Sequence, residues 1–218
     1  MIPLFHDFTN ETVLVFGGGP VGARKARRFA HEARVVVVSP TFVDDEFDGA
    51  ERVRAAPEAD SIDGWLERFT PALVVAATDD GAFNEAVVET TRERSILVNR
   101  ADRAGGREVG SVVVPATVRE EPVVVAIATG GSAPALSRHL REEFEGHLDG
   151  AGEMAELLAG LRAELKARSI PHDRRREIVS DVARSPGVWT ALRTGTANYV
   201  QVIEDVLEGE TQTGGDRP

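Results

Sequence analysis

The chain has 218 residues, which is enough for one larger domain and a smaller one. It carries 36 acidic and 25 basic residues, and a net charge of −11 argues against a general nucleic-acid-binding protein, which needs a basic face. The chain has no cysteine, which excludes disulfides, thiolate metal sites and cysteine nucleophiles. No apolar run approaches the ~20 residues of a membrane span, and the N-terminus lacks a signal-peptide pattern, so we expect a soluble, cytoplasmic protein.

The balance of charged residues is unusual. Only Lys25 and Lys166 are lysines, so arginine supplies almost all of the positive charge. This acidic, arginine-rich composition resembles that of salt-adapted cytoplasmic proteins, and we therefore expect a halophilic protein. An ordinary acidic enzyme from a GC-rich genome is the alternative.

The first predicted element is an apolar strand over residues 13–16, and it continues directly into a glycine turn. Gly17, Gly19 and Gly22 have the spacing G-x-G-x-x-G, and residues 23–33 then have helical periodicity. Gly17 allows a tight turn, Gly19 leaves room for a phosphate, and Gly22 allows the helix to pack closely on the strand. A strand, turn and helix in this order predict a dinucleotide site, with a purely structural glycine turn as the alternative.

Predicted strands and helices alternate over the rest of the first hundred residues. The predicted strands are residues 35–38, 52–56, 72–77 and 96–99, and the predicted helices are residues 61–69 and 81–94. Asp80 stands where a cap for the second of these helices is needed. This alternation predicts an α/β fold with a Rossmann-like, doubly wound parallel sheet.

The pattern changes after residue 100. Residues 101–110 are polar and contain glycines, which predicts a loop, and a β-hairpin follows over residues 111–118 and 122–129. A helix is predicted over residues 135–148, and helical patterns continue with interruptions at Pro171 and at residues 185–187. We therefore predict an NAD-binding domain (1–110), a dimerisation segment (111–148), a helical domain (149–207) and a disordered tail (208–218).

Several motifs occur together in this chain. They are GGGPVGARKARRF after the first strand, AATDD at 76–80, VNRAD at 98–102 and ATGGSAPALSRHLREEFE from residue 128. The combination resembles the precorrin-2 dehydrogenase family, the dehydrogenase/ferrochelatase module of sirohaem synthase, strongly over residues 1–148 and more loosely beyond. The methyltransferase domain fused to this module in long members is not expected here. The resemblance implies NAD-dependent oxidation of precorrin-2 to sirohydrochlorin, insertion of Fe²⁺ by some members, and a homodimer.

The resemblance also implies roles for individual residues. The cofactor would be held by Gly17, Gly19, Pro20, Val21, Gly22, Pro40, Thr41, Thr78 and Asp79. Asp102, the last residue of an N-x-x-D pattern, matches the catalytic aspartate. The substrate is a tetrapyrrole with eight carboxylates, and arginine pairs with carboxylates through two parallel hydrogen bonds. The predicted substrate-binding residues are Arg103, Arg107, Thr129 and Arg138, with ordinary surface charges as the alternative for the three arginines.

The residues themselves support some of these assignments and leave others open. Oxidation of precorrin-2 removes a hydride and a proton, and a carboxylate on a loop at the carboxyl edge of the sheet is a suitable proton acceptor. Asp102 follows a predicted strand and meets this condition, although a solvated loop aspartate is the alternative. Ser39 and Pro40 stand where NAD sites often carry an acidic residue. No arginine follows them there, which favours NAD over NADP without deciding between them.

Other functions remain open on the sequence alone. A non-catalytic NAD-sensing regulatory module, or a small dehydrogenase with another substrate, would also begin with a strand, glycine turn and helix. The five histidines show no spacing suited to a metal site, and we predict none. The run Arg174-Arg175-Arg176 is most simply a solvated helix face, or a contact for substrate carboxylates if it faces the cleft.

Overall fold

The structure is a computed structural model that describes residues 2–102 and 111–195. Its main sheet has five parallel strands in the order β3-β2-β1-β4-β5. These strands are β1 (Thr12–Phe16), β2 (Arg34–Ser39), β3 (Glu51–Arg54), β4 (Leu73–Ala76) and β5 (Leu97–Arg100). Strands β1, β2 and β4 are almost wholly buried, as expected for apolar, β-branched runs covered on both faces. The predicted Rossmann-like fold class is confirmed.

Three helices flank this sheet: α1 (Pro20–Ala30), α2 (Ile62–Phe69) and α3 (Gly81–Glu93). Helix α1 begins three residues before the predicted start because Pro20 occupies its first turn, where the missing N–H costs nothing. Asp80 caps α3 as predicted, since its carboxylate accepts hydrogen bonds from the backbone N–H groups of Ala82 and Phe83.

The core of the sheet divides between its two faces because successive strand residues point in opposite directions. Leu14 and Phe16 belong to the core beneath α2 and α3, and Phe16 packs edge-on against Phe83. Val13 and Val15 belong to the opposite core, which includes Ala23 and Ala26 of α1. Both faces of β1 are therefore fixed, and the turn that follows this strand has a rigid base.

The remaining elements of residues 111–195 are a hairpin and four helices. They are β6 (Ala116–Glu120), β7 (Val123–Ile127), α4 (Pro134–His147), α5 (Ala151–Ala167), α6 (His172–Arg184) and α7 (Pro186–Arg193). The predicted strand over 111–118 is wrong in its first half. Ser111 instead forms a parallel bridge with Val98 of β5, and the backbone N–H of Val112 donates to the carbonyl of Val98 at 2.8 Å.

Two compact units emerge from the contacts within the chain. One is Met1–Val114 with Gly130–Ser132, and the other is Pro115–Thr129 with Ala133–Pro218. The predicted dimerisation segment and helical domain thus fall largely in one unit, whose core contains Leu157, Leu161 and Leu165 of α5. Residues 196–207 of the predicted helical domain and the tail predicted to be disordered lie outside the described residues. No helix in the described residues is long and apolar enough to cross a membrane.

Candidate functional site

The turn after β1 is shaped by two glycines that no other residue could replace without movement of the backbone. Gly17 has φ +118°, and a Cβ there would lie 2.4 Å from the carbonyl oxygen of Ala77. A Cβ on Gly22 would lie 1.9 Å from the carbonyl oxygen of Gly17. These contacts hold the start of α1 against the end of β1, the packing that the sequence predicts for the first and third glycines of the motif.

Gly19 differs because the space beside it is open. An added Cβ would meet no heavy atom of the described chain within 4 Å. Gly19 is also the N-cap of α1 and has no capping side chain, so the first-turn N–H groups that follow Pro20 are available to an anion. The first turn contains no acidic residue that would neutralise the positive end of the helix. These features fit the pyrophosphate of a dinucleotide, with Val21 and Gly22 as N–H donors.

The loop after β2 lies beside the glycine turn. The backbone N–H of Val43 donates to the carbonyl of Gly18 at 2.9 Å, and a Cβ on Gly18 would lie 2.3 Å from the carbonyl oxygen of Thr41. The structure therefore brings Thr41 to the glycine turn, as the predicted cofactor site requires.

Arg54 is a cation at this edge that the sequence analysis missed. It ends β3 beside Ser39 of β2, and its guanidinium donates to the carbonyl of Pro40 at 3.1 Å. It also lies over the ring of Phe42, with 5.7 Å from Cζ to the ring centroid. Arg54 is distant in sequence from the end of β2, and only the pairing of β2 with β3 brings it there.

Thr78 and Asp79 follow β4 at the same edge of the sheet. The hydroxyl of Thr78 donates to Oδ1 of Asn84 at 2.7 Å, and Nδ2 of Asn84 donates back to the carbonyl of Thr78 at 2.9 Å. Asn84 lies on α3 and is fully buried, so it fixes the position of Thr78. Asp79 is exposed. Sequence reasoning missed Asn84 because a buried asparagine on a helix has no distinctive local pattern.

Asp102 follows β5 and is held by Arg100. Nε of Arg100 donates to Oδ1 of Asp102 at 2.8 Å, and a second guanidinium nitrogen donates to Oδ2 at 3.2 Å. Arg100 also pairs with Glu85 of α3 and donates to the carbonyl of Gly81 at 3.2 Å. The side chain of Arg100 is only 7% exposed and that of Asp102 is 20% exposed. Asp102 is therefore an exposed loop residue whose carboxylate is held by an ion pair with the largely buried Arg100, and its catalytic role stays a prediction.

Burial and the neighbouring charge shift the pKa of the Asp102 carboxyl in opposite directions. Burial raises the pKa of the Asp102 carboxyl, but hydrogen bonds from Arg100 and Asn84, together with the charge of Arg100, outweigh burial and lower it below 3.8. In turn, the hydrogen bond to Asp102 raises the pKa of Arg100 although burial opposes this. Asp102 is thus an ionised carboxylate at neutral pH.

The predicted substrate-binding residues are only partly described. Arg103 and Arg107 lie outside the described residues. Arg138 lies on the exposed surface of α4. The hydroxyl of Thr129 donates to the carbonyl of Ala133 at 3.1 Å and lies 2.8 Å from the hydroxyl of Ser137, so Thr129 fixes the turn before α4. Within the described ranges, no group of three or more histidine, aspartate or glutamate side chains is arranged to hold a metal ion.

Comparison with known proteins agrees with this geometry. A family model described as NAD(P)-binding matches residues 4–116. The siroheme synthase of Stutzerimonas stutzeri is 34% identical over 212 residues, which cover 95% of this chain and 44% of that protein. The siroheme synthase of Thioalkalivibrio sulfidiphilus is 36% identical over 223 residues, which cover 98% of this chain and 42% of that protein. The chain thus spans less than half the length of these relatives.

The fold is shared with a solved structure, "SirC, precorrin-2 dehydrogenase". The TM-score is 0.70 at 22% identity, covering 94% of this chain and all of that chain. The chain therefore belongs to the NAD(P)-binding family, and its resemblance to the dehydrogenase module of siroheme synthases is confirmed.

Proposed function

We propose that the chain catalyses the NAD-dependent oxidation of precorrin-2 to sirohydrochlorin. The substrate loses a hydride to NAD⁺ and a proton to a base or to water, and the products are sirohydrochlorin, NADH and H⁺. The observation that carries this proposal is that two candidate sites both lie at the carboxyl ends of the parallel strands. These are a glycine turn with room for a pyrophosphate and an ionised Asp102 fixed by Arg100. The names of the relatives support the same reaction, whereas a non-catalytic NAD-sensing module would not need the second site.

The residues proposed to hold the cofactor form three groups, one for each part of the dinucleotide. Gly19, Pro20 and Val21 would take the pyrophosphate, Thr41 the adenosine end, and Thr78 with Asp79 the nicotinamide end. NAD⁺, once bound, supplies the hydride acceptor. Asp102 would then receive the substrate proton or direct it to water. Because its pKa is lowered, the Asp102 carboxylate is a weak base and does not retain the proton at neutral pH. We therefore expect the proton to pass on to solvent.

Production of NADH with precorrin-2 tests the reaction directly. Anaerobic assays with NAD⁺ and precorrin-2 should show an increase in absorbance at the NADH band and the appearance of sirohydrochlorin in equal amounts. NAD⁺ binding without turnover would instead support the regulatory alternative. Insertion of Fe²⁺ into sirohydrochlorin, implied by the resemblance for some members, stays a prediction that a second anaerobic assay with Fe²⁺ tests.

A substitution at Gly19 tests the cofactor site. Gly19→Val places a side chain in the open space, where its Cβ meets no heavy atom of the described chain within 4 Å. Gly19 has φ −77° and ψ −178°, a backbone conformation that valine adopts readily. We expect loss of NAD⁺ binding with the fold retained. Gly64→Val on α2 is the matched control, because a Cβ there also meets nothing within 4 Å of the described chain. Equal NAD⁺ binding in both variants would contradict the proposed position of the pyrophosphate.

We also propose that the protein prefers NAD to NADP, and a variant of Arg54 provides an additional test of this preference. Calorimetric titration should show tighter binding of NAD⁺, because the Arg54 guanidinium already donates to Pro40 and lies over Phe42. Any residual affinity for the 2′-phosphate of NADP⁺ should depend on this arginine. Arg54→Gln should then weaken NADP⁺ binding more than NAD⁺ binding. Tighter binding of NADP⁺ to the unaltered protein would refute the preference.

We further propose a homodimer in which the hairpin and α4 are covered by a second copy. Leu136 and Phe144, two turns apart on α4, are 47% and 40% exposed. The valines of β7 are only half-buried. An apolar surface of this kind favours association. Light scattering should give twice the mass of the chain, and a monomer mass at micromolar concentration and high salt would contradict the proposal.

A further inference from the structure

Helices α5 and α6 enclose a groove of about 480 Å³ that the proposed reaction does not use. Arginine dominates its lining. The main lining residues are Arg162, His172, Arg175, Arg176, Ser180 and Ala183. The lining residues that the structure describes all lie within the second unit, and none of them is acidic.

The helical spacing explains why these side chains meet. His172, Arg175 and Arg176 lie three and four residues apart at the beginning of α6, so they share one face. Arg162 joins them from α5. Further along the same face of α6, Ser180 and Ala183 are small and leave room for a ligand. The positive end of the α6 dipole lies at the same end of the groove as His172.

Two nearby arginines, one at the C-cap of α5 and one on α6, are paired with acidic neighbours. Arg168 pairs with Glu164 at 3.0 Å, and Arg174 pairs with Glu177 at 2.6 Å. The side chains of the three groove arginines, by contrast, make no ion pair or hydrogen bond within the part of the chain that the structure describes.

Clustering like charges costs stability. In a chain with 36 acidic residues, a shortage of carboxylates does not explain the cluster. The arrangement favours an anion from outside the fold.

We propose that this groove binds a small polyanion whose carboxylate or phosphate groups are spaced to reach more than one arginine. A guanidinium group donates two parallel hydrogen bonds to either kind of group, so the chemistry is shared by polycarboxylates and phosphate esters. Polycarboxylate tetrapyrroles are one source of such groups, and small phosphates are another. The site does not depend on the redox reaction, because it lies in a unit that contains neither the glycine turn nor Asp102.

Trp189 offers a local probe of binding. Its Nε1 donates to the carbonyl of Ala183 at 2.8 Å, and Ala183 lines the groove. The chain has two tryptophans, so Trp65→Phe leaves Trp189 as the single tryptophan. The fluorescence of this protein should change on titration with citrate or inorganic pyrophosphate, and calorimetry can follow an octacarboxylate porphyrin. Saturating NAD⁺ keeps these probes from the glycine turn, and KCl at equal ionic strength controls for screening.

Two double variants distinguish specific binding in the groove from nonspecific electrostatic attraction between anions and arginines. Arg162→Gln with Arg176→Gln alters the groove, whereas Arg168→Gln with Arg174→Gln removes the same charge outside it, at the C-cap of α5 and on α6. We expect Kd for the best probe to rise at least tenfold in the groove variant, about 1.4 kcal/mol, and less than twofold in the control. Equal weakening in both variants, or no binding of any probe at millimolar concentration, would overturn the proposal. Whether citrate, pyrophosphate or the porphyrin binds tightest identifies the ligand class.

Thermal unfolding gives a readout that does not rely on fluorescence. Without a ligand, the groove variant should be at least as stable as the unaltered protein, because the substitutions relieve repulsion. The polyanion should raise Tm of the unaltered protein and leave that of the groove variant unchanged. A groove variant with a lower Tm, together with no polyanion effect on the unaltered protein, would assign these arginines a structural role and refute the site.

Discussion

Arg100 joins the end of β5 to α3 because it is a buried cation with a carboxylate on each side. Its partners, Asp102 and Glu85, come from the end of β5 and from α3. A cation that is 7% exposed needs such partners, since an unpaired charge in the interior is costly. The ion pair therefore fixes the carboxylate of Asp102 in one orientation and keeps it ionised.

Replacing Arg100 should move the pH dependence of the reaction. Hydrogen bonds and charge from Arg100 lower the pKa of Asp102, so Arg100→Met removes them and leaves burial, which raises it. The acidic limb of the pH profile of kcat/KM should therefore move to higher pH. Arg100→Lys should recover part of the shift, because it restores the charge without the paired hydrogen bonds. An unchanged acidic limb in both variants would mean that Asp102 does not control it.

Asp102 itself is the carboxylate that we expect to be essential. Asp102→Asn keeps the size of the side chain and removes its charge and its capacity to accept a proton. NADH production should fall by about 10²–10⁴-fold, the usual range for loss of a general base. The affinity for NAD⁺ should change little, whereas Asp79→Asn, proposed to lie at the nicotinamide end, should alter both. Turnover of Asp102→Asn close to that of the unaltered protein, at saturating precorrin-2, would remove Asp102 from the mechanism.

The site could be predicted only where its residues are close together in the sequence. The glycine turn is predicted from a short pattern with fixed spacing, whereas Asp102 is assigned by the resemblance of its N-x-x-D pattern to a family, and its role stays a prediction. Asn84, Glu85 and Arg54 were missed because the register of α3 and β3 against their neighbouring strands brings them to the site. Such contacts depend on tertiary packing, which a single sequence does not specify.

Helix α1 carries a charged group, the ammonium of Lys25, that destabilises the fold. Lys25 is half-buried, and burial, followed by repulsion from Arg28 and Arg24, lowers its pKa from 10.5 to about 8. Between pH 8 and 10.5 the unfolded chain therefore binds more protons at this position than the folded chain. The cost of charging Lys25 is present in full below pH 8 and disappears as the pH rises through this window.

Lys25→Met should therefore stabilise the protein in a pH-dependent way. The gain in the free energy of unfolding should be largest at pH 7 and should shrink towards pH 10, because neutral lysine carries no such cost. Urea unfolding at a series of pH values measures this difference. Lys166→Met is the control, because Lys166 is the other lysine and is exposed on α5. A gain for Lys25→Met that does not vary with pH would show that the removed cost is not one of charge.

At the scale of whole elements, the sequence predicts the sheet better than the region after it. Strands β1, β2 and β4 were placed to within a residue or two because they are continuous apolar runs between turns. The sequence predicts one strand over the apolar run at residues 111–118, yet the start of this run joins β5 and its end forms β6. Nδ2 of Asn99 donates to the carbonyl of Val112 at 2.8 Å and holds the start in place. Periodicity cannot reveal which partner strand a short apolar segment will choose.

Over the whole molecule, charge repulsion should make stability depend strongly on salt. The net charge is −11, and excess charge of one sign destabilises a compact fold. KCl screens this repulsion, since the Debye length falls from about 10 Å at 0.1 M to about 3 Å at 1 M. We therefore expect Tm at neutral pH to rise markedly with KCl, with most of the increase below about 1 M.

The same measurement at pH 5 distinguishes charge screening from a general effect of salt. The calculated isoelectric point is about 5.0, so the net charge there is close to zero. Screening then has little net repulsion to relieve, and the rise of Tm with KCl should be much smaller than at neutral pH. Similar rises at both pH values would attribute the stabilisation to salt exclusion from the protein surface. A flat or falling Tm at neutral pH would show that the acidic, lysine-poor composition is not an adaptation to salt.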